Sequence, residues 1–496
     1  MHASLRDIKS GYRGLKRLVK KFVRSGDYSS AMTYINHCTT VASQFNWIYA
    51  DDELENILNE IAVSVIDCSV TDGFQPDSDS WVFFDDYCTS YVLAMQWMTA
   101  LSKTGRNILY ITSQYSFENR RDKCILPEIE RMANVTVKII PDGPIFERVN
   151  LLFQSIIDVR ASKVILHKAM NSLIQLPLCV LPSTIAIYNI NLGDQFFWLG
   201  TKHIDYNIEF RPFGASVSIQ RRGFSRNQLL MIPFYPADEH RPFEGFPCEC
   251  DGKIVIFSGG DYYKTWDKDN IFWTLVKCIL EKYSNVVFLF ATKRNTFGNE
   301  AILRFIEDNC FKDRFFYIDY RQDIFQVFAN CDIYMGTTPV SGALMSQLAA
   351  INAKPILQYY APGTPDDETE QALCINDAFP ISFHTIDGFL NEADKLIRDS
   401  DYRKNQGRRL KSAMLQPEQF DQLVEKSLET NQTQLPFSIS LINYSTLESR
   451  WMELENMGFI CAGSFLTSLL GKYGMIASPG LFLKHKFNVL VKLLFS

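Results

Sequence analysis

The sequence predicts an α/β protein of two doubly wound, Rossmann-like domains behind an N-terminal helical extension, and three observations predict it. Apolar runs of strand length alternate with helix-length amphipathic segments in two series, one from about residue 80 and one from about residue 250. Pro233, Pro236, Pro242 and Pro247 punctuate the stretch between the series. At 496 residues the chain is too long for one ordinary core. Helix-length connections imply right-handed crossovers and parallel sheets covered on both faces. The expected segments are an N-terminal helical segment over residues 1–78, a first Rossmann-like domain over 79–245, a second over 246–435 and a helical tail over 436–496.

The elements follow in order. Leu15, Leu18, Val19, Phe22 and Val23 recur at helical spacing among Arg13, Lys16, Arg17, Lys20, Lys21 and Arg24. Such a basic amphipathic helix either rests on an anionic membrane or packs on the first domain with its charges solvated. In the first series, strands are expected at 81–84, 107–112, 135–140, 163–167, 183–188 and 206–210. Helices are expected through Tyr91 to Leu101, around Ile129 to Ala133 and over Phe146 to Val159. In the second series, strands are expected at 253–257, 286–291, 315–319, 332–336 and 355–359. The helices between them run from Ile271, Glu300, Ile324 and Gly342. In such sheets ligands lie at the carboxyl ends of the strands.

Composition narrows the function. Hydrophobic residues make up 47% and charged residues 21%, the balance of a packed globular protein. The net charge of -6 argues against broad nucleic-acid binding, which needs clustered Lys and Arg. It leaves room for a nucleotide, since one basic pocket holds a diphosphate. The twelve cysteines read as a reduced, mostly buried set. Cys248 and Cys250 stand close, without the second pair or histidines that metal spacing requires. No secretory signal pattern opens the sequence, and no apolar run reaches the roughly 18 residues of a membrane span. The expected location is the cytoplasm, with peripheral contact to the inner face of the membrane as an option. That option rests on the tail from about Leu469, where Leu481, Phe482, Leu483, Phe487, Val489, Leu490, Leu493, Leu494 and Phe495 mix with Lys472, Lys484, Lys486 and Lys492. The alternative is a tail that packs back across the first domain.

Two strand-to-helix junctions of the second domain carry candidate phosphate contacts. Ser258-Gly259-Gly260-Asp261-Tyr262-Tyr263-Lys264 follows its first strand. Glycine lets backbone approach a phosphate and Lys264 supplies charge, although the spacing is neither Walker A nor G-x-G-x-x-G. A tight turn with an exposed lysine explains the run as well. The second junction is Gly336-Thr337-Thr338-Pro339-Val340-Ser341-Gly342-Ala343-Leu344. Ser341 is expected to cap a helix whose free N–H groups suit an anion, and no Asp or Glu occurs from Ile333 to Pro365.

These junctions, closed by Ala353-Lys354-Pro355-Ile356, look like the donor half of GT-B glycosyltransferases, most similar to the O-linked N-acetylglucosamine transferase-like and heptosyltransferase-like branches. The resemblance covers roughly residues 80–430. It implies a nucleotide-sugar donor, uridine-linked, and a glycan, lipid-linked or protein acceptor, with no further cofactor or metal. It places the donor diphosphate on Gly259, Gly260, Lys264, Ser341 and Gly342, and the base on the loop Ile318 to Arg321, which includes Tyr320. The paired glutamates of retaining members are missing here, so an inverting transfer is implied, which needs a general base.

The first domain should supply that base. The run Asn189-Ile190-Asn191-Leu192-Gly193-Asp194-Gln195-Phe196-Phe197-Trp198-Leu199-Gly200 resembles a segment of bacterial polysaccharide-type glycosyltransferases. Asp194 is its one ionisable residue, and it serves either as base or as a turn cap. His167, ending Val164-Ile165-Leu166, is the second candidate, with a structural histidine as the alternative. Asp85 and Asp86 form a third possible acceptor site. Trp198 offers a stacking face to a sugar. Arg211, Arg221 and Arg222 either meet acceptor phosphates or form a solvated cluster. Two other readings stay open: a nucleotide-sugar 2-epimerase, and a non-catalytic partner of the same fold.

Overall fold

The computed structural model describes residues 4–88, 91–118, 125–236, 241–293, 298–360, 368–373, 381–454, 462–484 and 486–487. Val489, Leu490, Lys492, Leu493, Leu494 and Phe495 of the expected tail, and residues 361–365 of the acid-free run, lie outside them. The chain divides into two compact units, Met1–Ile232 with Leu423–Ser496, and Pro233–Gln422.

The first unit opens with three helices, α1 (Leu5–Arg24), α2 (Tyr28–Phe45) and α3 (Asp52–Val65). Ser4 and Asp7 close a capping box on α1. Leu15, Leu18 and Val19 are buried, while Lys16 pairs with Asp51 at 2.7 Å. The basic helix therefore packs on protein through its apolar stripe. Segments from the two ends of the described chain meet here: α1 packs against the helices Ala462–Leu470 and Gly474–Ala477, with Leu466 and Leu481 buried beside it.

Behind these helices lies a seven-stranded parallel sheet of β1 (Asp77–Asp85), β2 (Asn107–Ser113), β3 (Val135–Ile140), β4 (Ala161–His167), β5 (Ala186–Ile190), β6 (Tyr206–Glu209) and β7 (Leu229–Met231). The strand order is β3-β2-β1-β4-β5-β6-β7. Val82, Phe83 and Phe84 of β1 are buried, as are Val164, Ile165 and Leu166 of β4. Continuous apolar runs of this kind belong to strands covered on both faces. The second unit repeats the plan with β8 (Ile254–Gly259), β9 (Val286–Ala291), β10 (Phe315–Ile318), β11 (Ile333–Met335), β12 (Ile356–Tyr359) and β13 (Ser382–Phe383), in the order β10-β9-β8-β11-β12-β13. All the pairings are parallel.

Local departures from the sequence reading have identifiable causes. The helix expected around Ile129 to Ala133 instead occupies Leu126–Ile129, because Pro127 fits its first turn. β5 starts three residues later than expected, since 182–185 form a turn in which the Ile185 N–H donates to the Pro182 carbonyl at 3.0 Å. β7 and β13 were too short to carry a period. The helix expected to be capped by Ser341 begins at Ala343, with Gly342 as cap and no side-chain cap bond.

Candidate functional site

In a doubly wound sheet the chain leaves a strand toward opposite faces on either side of the switch in strand order, and that switch opens a crevice at the carboxyl ends. In the first unit the switch lies between β1 and β4, where Asp85 stands opposite His167 in register. Both side chains are fully buried. His167 Nδ1 lies 2.8 Å from Asp85 Oδ1. Tyr110 donates its hydroxyl to Asp85 Oδ2 at 2.6 Å, and the Tyr87 N–H donates to Oδ1 at 2.8 Å. Burial alone would push this carboxyl up; the imidazole beside it and these two donors outweigh burial and hold it low. In the neutral imidazole, an ionised carboxylate at Nδ1 fixes the proton there and leaves Nε2 as the acceptor. His167 Nε2 is buried and has no hydrogen-bond partner.

Tyr87 and Lys168, neighbours of this pair in sequence, border a cavity of about 130 Å³ whose lining includes neither Asp85 nor His167. Tyr87, Lys168, Asn191, Phe196 and Trp198 contribute to its lining. Tyr87 also packs edge-on against the His167 ring, with centroids 5.2 Å apart. Asn191 donates to both carboxylate oxygens of Glu209, at 3.1 and 2.9 Å, so its Oδ1 is left buried without a partner. Trp198 Nε1 is likewise buried and unpartnered. An acceptor, a donor and aromatic walls around one hollow suit a hydroxyl-rich ligand.

The surrounding charges are buried as well. Lys168 donates to the Leu199 carbonyl at 3.1 Å and lies 4.4 Å from the Trp198 ring centroid. Burial pulls its ammonium down to about 8, against the opposing pull of Glu55 and Asp86. Burial pushes Asp86 up to about 6 despite hydrogen bonds from Ser172 and the Ala169 N–H. Burial also lifts Glu209 to about 7, although Arg222 and the Ser218 hydroxyl favour its charge. Glu55 accepts from the N–H groups of Gly200 and Thr201, at 2.8 and 3.1 Å, and so anchors the end of the Phe-Trp-Leu-Gly run on α3.

Three expectations change on this geometry. Asp194 does not line the cavity: its Oδ2 accepts from Arg211 Nε at 2.5 Å, and both residues are buried. Asp194, expected as the proton acceptor, and Arg211, expected at the acceptor, face each other in this buried ion pair. Arg222 is buried rather than solvated, and its guanidinium donates to the carbonyls of Asp194 and Phe196 at 2.7 and 2.8 Å. It thereby holds the loop that shapes the cavity. Trp198 does line the hollow, yet Lys168 covers some of its ring. Lys168, Asn191 and Glu55 were not singled out by the sequence. Lys168 had one signal, its place directly after His167; Glu55 had none.

In the second unit the switch lies between β8 and β11. Gly260 adopts φ +147°, a region that disfavours side chains, and its N–H donates to the Ala291 carbonyl at 2.9 Å. Lys264 follows on a short 3-10 turn, Tyr262–Thr265, whose Lys264 carbonyl accepts from the Val340 N–H at 3.3 Å. That bond ties the two candidate phosphate junctions together. Gly336 has no room for a side chain: a Cβ would stand 1.8 Å from Gln358 Oε1. The Tyr334 hydroxyl, buried and unpartnered, lies 3.7 Å from where a Cβ on Gly342 would be. Ser341 is half-buried at the start of the helix Ala343–Ile351. Tyr320 is 60% exposed on the loop after β10. Gly259, Gly260, Lys264, Ser341 and Gly342 thus gather at one switch point, with Tyr320 on a neighbouring loop. Among the described residues no group of three or more His, Cys, Asp or Glu is arranged to hold a metal ion.

No family model matches the sequence, and no curated protein matches it. Solved structures do. HepE of Anabaena, crystallised with UDP and glucose, matches 71% of this chain and 99% of its own at 12% identity and a TM-score of 0.50. An O-GlcNAc transferase variant of Thermobaculum terrenum matches 87% of this chain and 82% of its own, at 12% identity and a TM-score of 0.50. A UDP-N-acetylglucosamine 2-epimerase structure from Listeria monocytogenes covers 73% and 100%, at 9% identity and the same score. Two parallel Rossmann-like sheets, each with its switch point, and these likenesses together identify the architecture as the GT-B fold.

Proposed function

We propose that this chain is a glycosyltransferase that moves a hexosyl group from a uridine-diphosphate sugar to a glycan or lipid-linked acceptor, in the synthesis of a bacterial polysaccharide or glycoconjugate. The observation that carries the reading is the Asp85–His167 pair at the first unit's switch point, with Nε2 unpartnered and the ring packed against Tyr87, itself part of the wall of a polar and aromatic hollow. In this reading His167 Nε2 takes the proton from the acceptor hydroxyl as its oxygen attacks the anomeric carbon. The bond from that carbon to the diphosphate breaks, and the nucleoside diphosphate leaves with the electron pair. Asp85 keeps the imidazole in the accepting tautomer. The donor diphosphate rests on Gly259, Gly260, Lys264, Ser341 and Gly342, with the base near Tyr320.

The test is a thermal-shift series with UDP, UDP-glucose and UDP-N-acetylglucosamine. A ligand at a hundred times its Kd is expected to add about 2.7 kcal/mol. Slow release of UDP with a free sugar unchanged at C2 supports a transferase. Release of UDP with a sugar altered at C2 would make the chain a 2-epimerase. No shift with any nucleotide would reduce it to a non-catalytic partner and overturn the proposal.

A further inference from the structure

Two segments from opposite ends of the chain are brought together on the first unit. Arg13, Arg17, Lys21 and Arg24 of α1 are exposed, and their spacing sets them in one stripe along the helix. Lys16 and Lys20 turn aside to Asp51 and Glu53. Arg17 donates to the Ala477 carbonyl at 3.0 Å, and Lys21 Nζ lies 4.7 Å from the Tyr473 ring centroid. The basic stripe therefore borders the C-terminal helices. There Ile476 is 75% exposed, Phe487 65%, Leu483 55% and Met475 47%. Leu481 is buried against α1 near Gly11, whereas Leu483 and Phe487 of the same segment are exposed. Lys472, Lys484 and Lys486 are interleaved with these residues and exposed. Lys484 pairs with Asp7 at 2.7 Å. The sequence carries no Asp or Glu after Glu455.

Four large apolar side chains left exposed within one short segment point to a partner rather than ordinary surface. Its charge selects among partners. A second copy in a two-fold contact would bring this cationic face against itself, and juxtaposed like charges oppose association. Phosphate headgroups over an acyl layer match both features at once. We propose that this face docks on an anionic lipid bilayer. Met475, Ile476, Leu483 and Phe487 enter the interfacial layer, while Arg13, Arg17, Lys21, Lys472 and Lys486 meet the headgroups. The inference is independent of the transferase reading.

The test sediments the full chain with vesicles of phosphatidylcholine alone, or mixed with phosphatidylglycerol, at low salt and at about 0.5 M salt, where charge attraction is screened. Binding to the mixed vesicles is expected, falling at high salt and weak on pure phosphatidylcholine. Ile476→Ser with Phe487→Ser is expected to lower partitioning by about tenfold or more. Arg13→Gln with Lys472→Gln should lower it by about fivefold per charge removed. All four positions are exposed, and a melting curve matching the parent shows that each variant folds. Failure of the parent to sediment with mixed vesicles overturns the proposal, as does equal binding to both compositions. A dimer in equilibrium sedimentation that the Ile476/Phe487 variant abolishes, without vesicle binding, would make the face a contact between copies instead.

Discussion

At the scale of single residues, Asp85 and Asp194 show how one side-chain type serves two ends. Each is a buried carboxylate at or just beyond the end of a strand. Asp85 faces an imidazole whose other nitrogen is unpartnered, so it can orient a base. Asp194 faces Arg211, so its charge ties a loop to the helix Pro212–Arg221. His167→Gln is expected to reduce transfer by about 10²–10⁴-fold with donor affinity kept. Calorimetry and a transfer assay check this beside a melting curve, and unchanged transfer would remove His167 from the chemistry. Asp194→Ala removes the carboxylate from a buried ion pair, and urea unfolding is expected to show a loss of about 3–5 kcal/mol. Unchanged stability with abolished transfer would return Asp194 to the reacting centre. His167 was legible as the end of an apolar strand. Its partnership was not, because Asp85 lies 82 residues earlier and meets it only when β4 lies beside β1.

At the scale of elements, the strand-to-helix junctions decide what a ligand meets. The helix Ala343–Ile351 is capped by Gly342, which has no side chain of its own to turn back on the first N–H groups. Gly336 and Gly260 bring backbone where a side chain would collide or strain, and the Lys264–Val340 bond fixes one junction to the other. Lys264→Ala is expected to weaken UDP binding by about 1.5–3 kcal/mol, the range for a hydrogen bond to a charged group. Titration calorimetry reads this directly, and equal affinity would move the diphosphate elsewhere. The glycines and the lysine were legible in sequence as turn chemistry. The cap was misplaced by one residue because Ser341 and Gly342 are both good cap types, and local propensity does not rank them.

At the scale of the molecule, the first unit is sustained by buried polar groups as well as by apolar packing. Glu209 accepts from Asn191, Asn207 and Ser218 and titrates near 7, well above an exposed glutamate. A group raised in the folded state favours the fold while protonated, and that advantage is lost as pH climbs from about 4.5 to about 7. By pH 8 the ionised carboxylate costs about 3 kcal/mol relative to its exposed reference. Melting temperatures of the parent and of Glu209→Gln, taken from pH 5 to pH 8, are expected to move in favour of the variant as pH rises. A difference independent of pH would mean that Glu209 is ionised throughout. The termini act on the same scale. Packing α1 against the C-terminal helices joins a basic stripe to an apolar one, a surface that neither segment forms alone.

The sequence by itself determined the two-series α/β plan, because strand-length apolar runs and helix-length amphipathic segments are local patterns that burial on two faces imposes residue by residue. It also determined the turn chemistry after β8 and β11, since glycine and proline act on the backbone where they stand. The tertiary structure decided which ionisable groups are paired, which lone pairs stay unsatisfied and which exposed stripes adjoin. Those outcomes depend on contacts between residues tens to hundreds of positions apart, such as Asp85 with His167, Asn191 with Glu209 and Arg17 with Ala477. Strand order and helix packing create such contacts, and no local pattern encodes either.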